Sequence, residues 1–409
     1  MPGNVASGAS SRAMQTLVLL VGTAMNMLSR GLIETFAVFL LPLSVAFATD
    51  RVALTGIYST YMLVYGLTAP FIGMLIDKLG VRLCYSLGLL LVGAGLSLAG
   101  HANQLWQLYL TVGAMCGAGT AALGMVPASV LASRWFDRRL PSAMSLLYAA
   151  LGSGVLVFSP LSQWLIDSGG WRHAYRWLGL TPLIILPLTL LLPWSRILAG
   201  EPSLSARRAR SPGPALGAAL GHALRQPDFW RLSGVMFFTT LSTFTIMIQL
   251  VAYLVEVGFA ALIAASVFGA LGIISTVGMM TVGMLAERFG ERLIATLSYS
   301  CSILGVGILA LLDGRPSMLL LAAFAIVFGT VSGSRGPLVA VLSSRRFGGS
   351  AQATVYGSVL LAMGIGGAIA GWATGALHDL TDAYHAGFLL SALAALGGML
   401  LFRSIDVSR

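Results

Sequence analysis

Charged side chains inside long apolar stretches are the residues of this sequence most able to do chemistry. Arg30 and Glu34 are four positions apart, so a helix places them on one face, with Asn26 one turn earlier. A charge near mid-membrane costs about 2.5–3.5 kcal/mol on insertion scales, so it rarely persists without a partner or a water-lined cavity. One interpretation is a structural pair that locks the helix. The other is that Arg30 binds a substrate carboxylate while Glu34 accepts the coupling proton.

Arg335 is another arginine of this kind, and the sequence has no acid within one helical turn of it. A guanidinium is a planar fork that takes a carboxylate through two parallel hydrogen bonds. We therefore predict that Arg335 binds an anionic substrate. The alternative is that it caps helix ends or pairs with Glu34 and connects the two halves of the chain.

Gln249 and Tyr253 are further candidate substrate contacts, because they lie four residues apart on one face of an apolar helix. A tyrosine in a membrane is more often an interfacial anchor or a packing residue. No acid cluster, Ser/His pair or metal-ligand constellation indicates catalysis. We predict no enzyme activity, no metal and no cofactor.

The elements that position these residues must cross a lipid bilayer. Hydrophobic residues make up 57% of the 409 positions and charged residues only 9%, so the chain lacks the polar residues to cover a water-soluble surface. About 20 apolar residues cross the bilayer core, and the sequence contains twelve such runs. Their approximate bounds are 14–43, 54–76, 82–100, 104–131, 142–166, 174–194, 230–255, 262–286, 293–312, 317–342, 352–377 and 385–403.

An internal repeat divides the chain into halves. Residues 73–83, GMLIDKLGVRL, return 210 residues later as 283–293, GMLAERFGERL, with six of eleven positions identical. Many transporters are built from such duplications. We predict an all-α fold of twelve transmembrane helices in two pseudo-symmetric six-helix bundles, 1–194 and 230–409, joined by a cytoplasmic linker, 195–229.

The basic residues fall mostly on one side of the predicted membrane. Eighteen of the 24 Lys and Arg residues face the side of the N-terminus, and only Arg51, Arg172, Arg176 and Arg315 face the other. Cytoplasmic loops carry this excess, so we predict cytoplasmic termini. The short twelve-span form without long loops predicts a multi-pass protein of a bacterial inner membrane. The net charge of +10 does not predict nucleic-acid binding, because no separate basic domain is present.

The repeated segment resembles the loop signature Gly-x-x-x-Asp-Lys/Arg-x-Gly-x-Arg of the major facilitator superfamily. Within that superfamily, short segments are similar to the monocarboxylate-porter branch and its bacterial relatives; they are 36–43, 65–70, 134–139, 170–172 and 335–337. The resemblance implies that helices 1, 4, 7 and 10 line a central cavity. It also implies a gating role for Asp77, Arg82, Glu287 and Arg292 in the repeated loops.

The expected function is secondary active transport of a small organic anion by alternating access, driven by a gradient or by protons. The expected partners are this substrate and the lipid bilayer, and we expect a monomer. The sequence departs from proton-coupled porters of the branch, which carry an Asp and an Arg in helix 8 where this chain has Ser275 and Met279. Efflux of a drug, siderophore or other metabolite, or uptake of a heterocyclic nutrient, is therefore the alternative.

Overall fold

The computed structural model describes residues 3–136, 140–200, 221, 224–346 and 352–405, which form helices and no β-strand. Within these ranges, eleven helical runs are long and apolar enough to cross a membrane. The longest, Leu146–Leu190, has 45 residues and turns at Gly170, where φ is 78°. A crossing needs about 20 residues, so this run makes two. The prediction of an all-α membrane protein with twelve spans is confirmed.

We number the twelve helices α1 to α12 in chain order. In the N-terminal half they are α1, in pieces Gly3–Glu34 and Phe36–Phe47; α2 and α3, from the run Arg51–Ala99 divided at Gly80; α4, in pieces Leu105–Leu108, Tyr109–Met115, Cys116–Leu123 and Met125–Trp135; and α5 and α6, from the run Leu140–Leu190 divided at Gly170. A short helix, Trp194–Ala199, follows. In the C-terminal half they are α7, in pieces Pro227–Met247 and Leu250–Val257; α8, Ala261–Phe289; α9, Glu291–Ala310; α10, in pieces Met318–Ser332 and Arg335–Arg346; α11, Gln352–Thr381; and α12, His385–Arg403.

The sequence repeat is also a structural repeat. Gly80 and Gly290 occupy the same motif position, and both have positive φ, 80° and 92°. Only glycine adopts this conformation without strain, so each connects two helices through a one-residue turn. Arg82 then donates from Nη2 to the carbonyl of Leu190 at 3.3 Å, and Arg292 from Nη2 to that of Ile405 at 2.9 Å. In each half, the motif arginine therefore ties the third helix to the end of the sixth.

These contacts define two ends of the helix bundle. The arginine contacts lie at the end where the first and last described residues also fall, which we call the terminal face. At the opposite end, the far face, Arg172 donates to the carbonyl of Ala102 at 3.1 Å and the side chains of His385 and Asp313 approach to 3.4 Å. The predicted linker falls largely outside the described residues, so the domain boundaries stay a prediction.

Helices α1, α4, α7 and α10 are each interrupted. The interruptions fall at Thr35, at Gly124 with ψ of −150°, at Gln249 with φ of −103° and ψ of 0°, and at Gly333 and Ser334. Broken helices within a membrane are tolerated where the freed backbone groups are buried in protein or line a cavity. These four helices occupy equivalent places in the two halves, so the breaks repeat with the fold.

The halves meet along two seams of small residues. In the seam between α5 and α8, a Cβ added at Gly152 would lie 2.0 Å from the carbonyl oxygen of Gly272. In the seam between α2 and α11, a Cβ at Gly66 would lie 3.0 Å from the Cα of Gly364. Small residues let backbones approach closely in lipid, where dispersion contacts replace the hydrophobic effect as the source of association.

We predict that Gly152→Ala destabilises the protein, because its methyl group would collide with backbone atoms of α8. Overpacking of this kind costs about 1–3 kcal/mol, more than the helix propensity gained. The matched control is Gly307→Ala in α9, where no atom lies within 4 Å of the added Cβ. Thermal unfolding in detergent checks this: the Tm of Gly152→Ala should fall by several degrees while that of Gly307→Ala stays level or rises. Equal Tm values would contradict the close seam.

Candidate functional site

A central cavity of about 250 Å³ lies between the two halves, with walls from eight helices. Helices α1, α4, α7 and α10 all contribute, as the resemblance implied, together with α2, α5, α8 and α11. The wall carries hydroxyl groups from Tyr65, Tyr148, Thr239, Thr240, Thr243, Ser275 and Ser332. Its apolar part is rich in methionine and phenylalanine, namely Met125, Met236, Met247, Met279, Met363, Phe244 and Phe268.

Arg30 and Glu34 supply the charged groups of this cavity wall among the described residues. Arg30 Nη2 lies 2.9 Å from Glu34 Oε1, and the two side chains are 17% and 11% exposed. The pair therefore borders open space and is not sealed within the protein. Glu34 is the last residue of the first piece of α1, so the pair lies where the helix is interrupted.

Two further side chains contact this ion pair. Tyr58 on α2 donates its hydroxyl to Glu34 Oε2 at 2.8 Å. Phe244 on α7, in the other half, places its ring centroid 5.9 Å from Arg30 Cζ, within cation–π range. Sequence reasoning missed both residues. The row of hydroxyls at positions 239, 240 and 243 of α7 was the available signal that this helix face borders a polar cavity.

Arg335 lies outside the cavity wall. It is fully buried and turned toward α9, where its Nε donates to Ser298 Oγ at 2.9 Å and its Nη2 to the Ser298 carbonyl at 2.8 Å and to Ser302 Oγ. Its Cζ stands 4.1 Å from the ring centroid of Tyr299. Its neighbours Gly333 and Gly336 do line the cavity. The guanidinium is thus held behind the wall by neutral dipoles and an aromatic face.

Asn26, Gln249 and Tyr253 also lie away from the cavity wall. Asn26 is buried between helices and donates its amide to the Leu147 carbonyl at 3.3 Å. Gln249 and Tyr253 border a separate pocket of about 10 Å³, room for roughly one water. Tyr253 donates its hydroxyl to the Leu309 carbonyl at 2.8 Å. Of the five predicted substrate contacts, the structure thus places Arg30 at the cavity wall and places Arg335, Asn26, Gln249 and Tyr253 away from it.

The residues predicted to act in gating lie at the terminal face. Arg82 and Arg292 make the carbonyl contacts given above, while the side chains of Asp77 and Glu287 lie outside the described residues. Each arginine contact stays within one half of the protein. The gating role of these four residues stays a prediction.

At the far face, a polar group joins the halves, which we call the Arg51 cluster: Arg51, Glu256, Asp379 and Tyr384. Asp379 accepts the backbone N–H of Arg51 at 3.0 Å and that of Val52 at 2.7 Å, so a carboxylate from the C-terminal half caps α2. The Arg51 guanidinium pairs with Glu256 and donates to the Tyr384 hydroxyl at 2.8 Å. Burial raises the pKa of Tyr384; Arg51 opposes this rise and Glu256 adds to it, so the hydroxyl stays protonated.

Comparison with known proteins identifies the family. Residues 19–371 match the Major Facilitator Superfamily, so the chain belongs to this family. Its relatives include monocarboxylate transporter 13 of Bos taurus, 28% identical over 383 residues that cover 93% of this chain and 87% of the relative. Monocarboxylate transporter 11 of Homo sapiens is 30% identical over 389 residues, covering 93% of this chain and 80% of the relative.

The chain is therefore a multi-pass membrane transporter of the major facilitator superfamily and not an enzyme. The resemblance to the monocarboxylate-porter branch is confirmed. The relatives named above are animal proteins, and they give no support to a bacterial inner membrane. That location and the cytoplasmic termini stay predictions.

We predict that Arg51→Gln opens the far face, because it removes the guanidinium contacts with Glu256 and Tyr384. Spin labels on cysteines at Ala48 and Ala260, exposed residues on far-face loops of opposite halves, report the separation. A loss of about 1.4 kcal/mol would raise the open population roughly tenfold. The control is Arg315→Gln, which replaces an exposed arginine near the same face. An unchanged distance distribution in Arg51→Gln would show that this cluster does not hold the face closed.

Proposed function

We propose that this transporter is a secondary active carrier of a small, monocarboxylate-like organic anion that works by alternating access. The observation that carries the proposal is the Arg30–Glu34 pair at the cavity wall. A charge at this depth is costly unless it has a partner or a water-lined cavity, and this pair has both. The names of the relatives, monocarboxylate transporters, support the same substrate class.

Arg30 is the proposed anion-binding group. Its guanidinium takes a carboxylate by two parallel hydrogen bonds, and in a low-dielectric cavity these bonds are stronger than in water. The hydroxyls of α7 lie on the same wall and can donate to the remaining carboxylate lone pairs. The substrate's apolar part would contact the methionine and phenylalanine side chains.

Glu34 is the proposed proton acceptor. While it is ionised, it neutralises Arg30 and competes with the substrate for the same guanidinium. A proton on Glu34 weakens that pair and leaves Arg30 positively charged for the anion. Proton and anion binding are then linked, which is the condition for symport.

Alternating access requires that the closed end of the cavity can open. The inter-half contacts at Gly152, Gly66 and the Arg51 cluster lie from mid-membrane to the far face. We propose that the halves rock along the two glycine seams as the cluster breaks. The opposite gate would use the repeated loops, with Asp77, Arg82, Glu287 and Arg292.

A second candidate function follows from the apolar wall. Methionine is flexible and polarisable and adapts to ligands of different shape, and five methionines line this cavity. Efflux of a drug, a siderophore or another metabolite, or uptake of a heterocyclic nutrient, would use this wall more than Arg30. Dependence of transport on Arg30 separates the two functions.

We predict that Arg30→Gln reduces uptake of pyruvate, lactate or phenylpyruvate into proteoliposomes by about ten- to a hundredfold, since hydrogen bonds to charged groups contribute about 1.5–3 kcal/mol. Arg30→Lys should keep part of the activity, because it retains the charge but not the planar fork. Arg315→Gln serves as the control. Transport of a neutral or cationic compound that is unaffected by Arg30→Gln would favour the second function instead.

We predict that Glu34→Gln separates exchange from accumulation. The amide cannot carry a proton across the membrane, so an imposed pH gradient should no longer drive net uptake. Exchange of labelled for unlabelled substrate should continue, because Arg30 remains available. Both assays use the same proteoliposomes. Gradient-driven uptake at the wild-type rate would exclude Glu34 as the coupling group.

A further inference from the structure

The two carboxylate oxygens of Glu34 have different partners. Oε1 pairs with Arg30 at 2.9 Å, and Oε2 accepts the hydroxyl of Tyr58 at 2.8 Å. Arg30 and Glu34 share helix α1, whereas Tyr58 comes from α2. A substrate anion that takes Arg30 can thus remove one partner of Glu34 and leave the other in place.

Tyr58 is held rigidly for this contact. It is 2% exposed, and its ring lies between Phe36, Tyr61 and Phe244, with centroid distances of 6.0, 5.3 and 5.8 Å. A close-packed ring of this kind has little freedom to follow a moving partner. The Tyr58 hydroxyl therefore marks a fixed position for Glu34.

Energetics explain why a fixed donor matters. If Arg30 turned to a substrate before a proton reached Glu34, and Glu34 had no other donor, an ionised carboxylate would be left unpaired near mid-membrane. Leaving one member of a buried pair without its partner is strongly destabilising. Glu34 would then stay on Arg30 and compete with the substrate. A hydroxyl bonded to Glu34 contributes more once Arg30 has turned away, because it is then the partner left to the carboxylate. It therefore lowers the free-energy cost of replacing Glu34 on Arg30 with a substrate anion.

We propose that Tyr58 is a positioning residue, whose hydroxyl holds Glu34 while a substrate anion replaces it on Arg30. This inference rests on the proposed function. Phe244 extends it to the conformational change, because this one ring of the C-terminal half contacts both Arg30 and Tyr58. Movement of the halves would therefore alter the surroundings of both partners of Glu34 together.

The test is a double-mutant cycle of Tyr58→Phe and Glu34→Gln in transport. Phenylalanine keeps the ring packing and removes only the hydroxyl. The probe is whichever of pyruvate, lactate and phenylpyruvate the wild-type proteoliposomes exchange fastest. Tyr58→Phe should raise KM roughly tenfold, as expected for loss of a hydrogen bond to a charged group, with maximal exchange rate unchanged. In the Glu34→Gln background, the same substitution should change KM less than about twofold, because no charge remains to be held.

The matched control is Tyr85→Phe. Tyr85 is a fully buried tyrosine of α3 in the same half, with its ring 6.2 Å from that of Trp194 and not at the cavity wall. This variant should leave KM unchanged. An equal KM rise in both Glu34 backgrounds, an equal rise in Tyr85→Phe, or no rise in Tyr58→Phe would overturn the positioning role.

A second measurement is independent of any substrate. Thermal unfolding of the four proteins of the cycle in detergent reports the Tyr58–Glu34 bond in the empty transporter. A Tm loss in the double mutant that is smaller than the sum of the two single-mutant losses supports the bond. A double-mutant loss equal to that sum overturns the inference even if transport is normal. If the wild type exchanges none of the three acids, the proposed function fails and the positioning role fails with it. Additive Tm losses in a protein that does exchange an acid contradict the positioning role alone, so the two failures are distinguishable.

Discussion

The free-energy cost of a charge inside a bilayer is the constraint on which the rest of this structure depends. Arg30 and Glu34 satisfy it jointly, at the point where α1 is interrupted and the protein encloses a cavity. The cavity supplies solvation, Tyr58 supplies a hydrogen bond and Phe244 supplies an aromatic face. Three helices from two halves thus converge on the Arg30–Glu34 pair. Any change in the partners of this pair is therefore physically linked to the packing of the halves.

Arg335 meets the same constraint in another way. It is more deeply buried than Arg30, yet two serines, a carbonyl and the ring of Tyr299 surround it, and it forms no ion pair with a described acid. Neutral dipoles stabilise a cation without creating a second charge that must also be solvated. Arg335 is the first residue of the second piece of α10, directly after the break. Helices α1 and α10, from different halves, therefore carry arginines with different surroundings.

The glycine seams and the Arg51 cluster join the halves through contacts of different physical kinds. The glycine seams depend on close backbone approach and contain few hydrogen bonds, so the halves can slide along them while breaking few hydrogen bonds. The Arg51 cluster depends on directional bonds between charged groups at the membrane edge, where water can replace them. A smooth seam and a breakable polar contact are the two features that the proposed rocking of the halves would use.

Local spacing and apolar length in the sequence were enough to predict the number of spans, the all-α class, the duplication and the common face of Arg30 and Glu34. The folded structure was needed to show which way Arg335 turns, that Gln249 and Tyr253 border a separate pocket, and that Asp379 caps a helix whose first residue, Arg51, lies 328 positions earlier. In a soluble helix, the contrast between apolar and polar faces indicates the buried side. In lipid, the outer surface is as apolar as the core, so that contrast is lost. Helix rotation and long-range partners then depend on packing between helices, which no local pattern records.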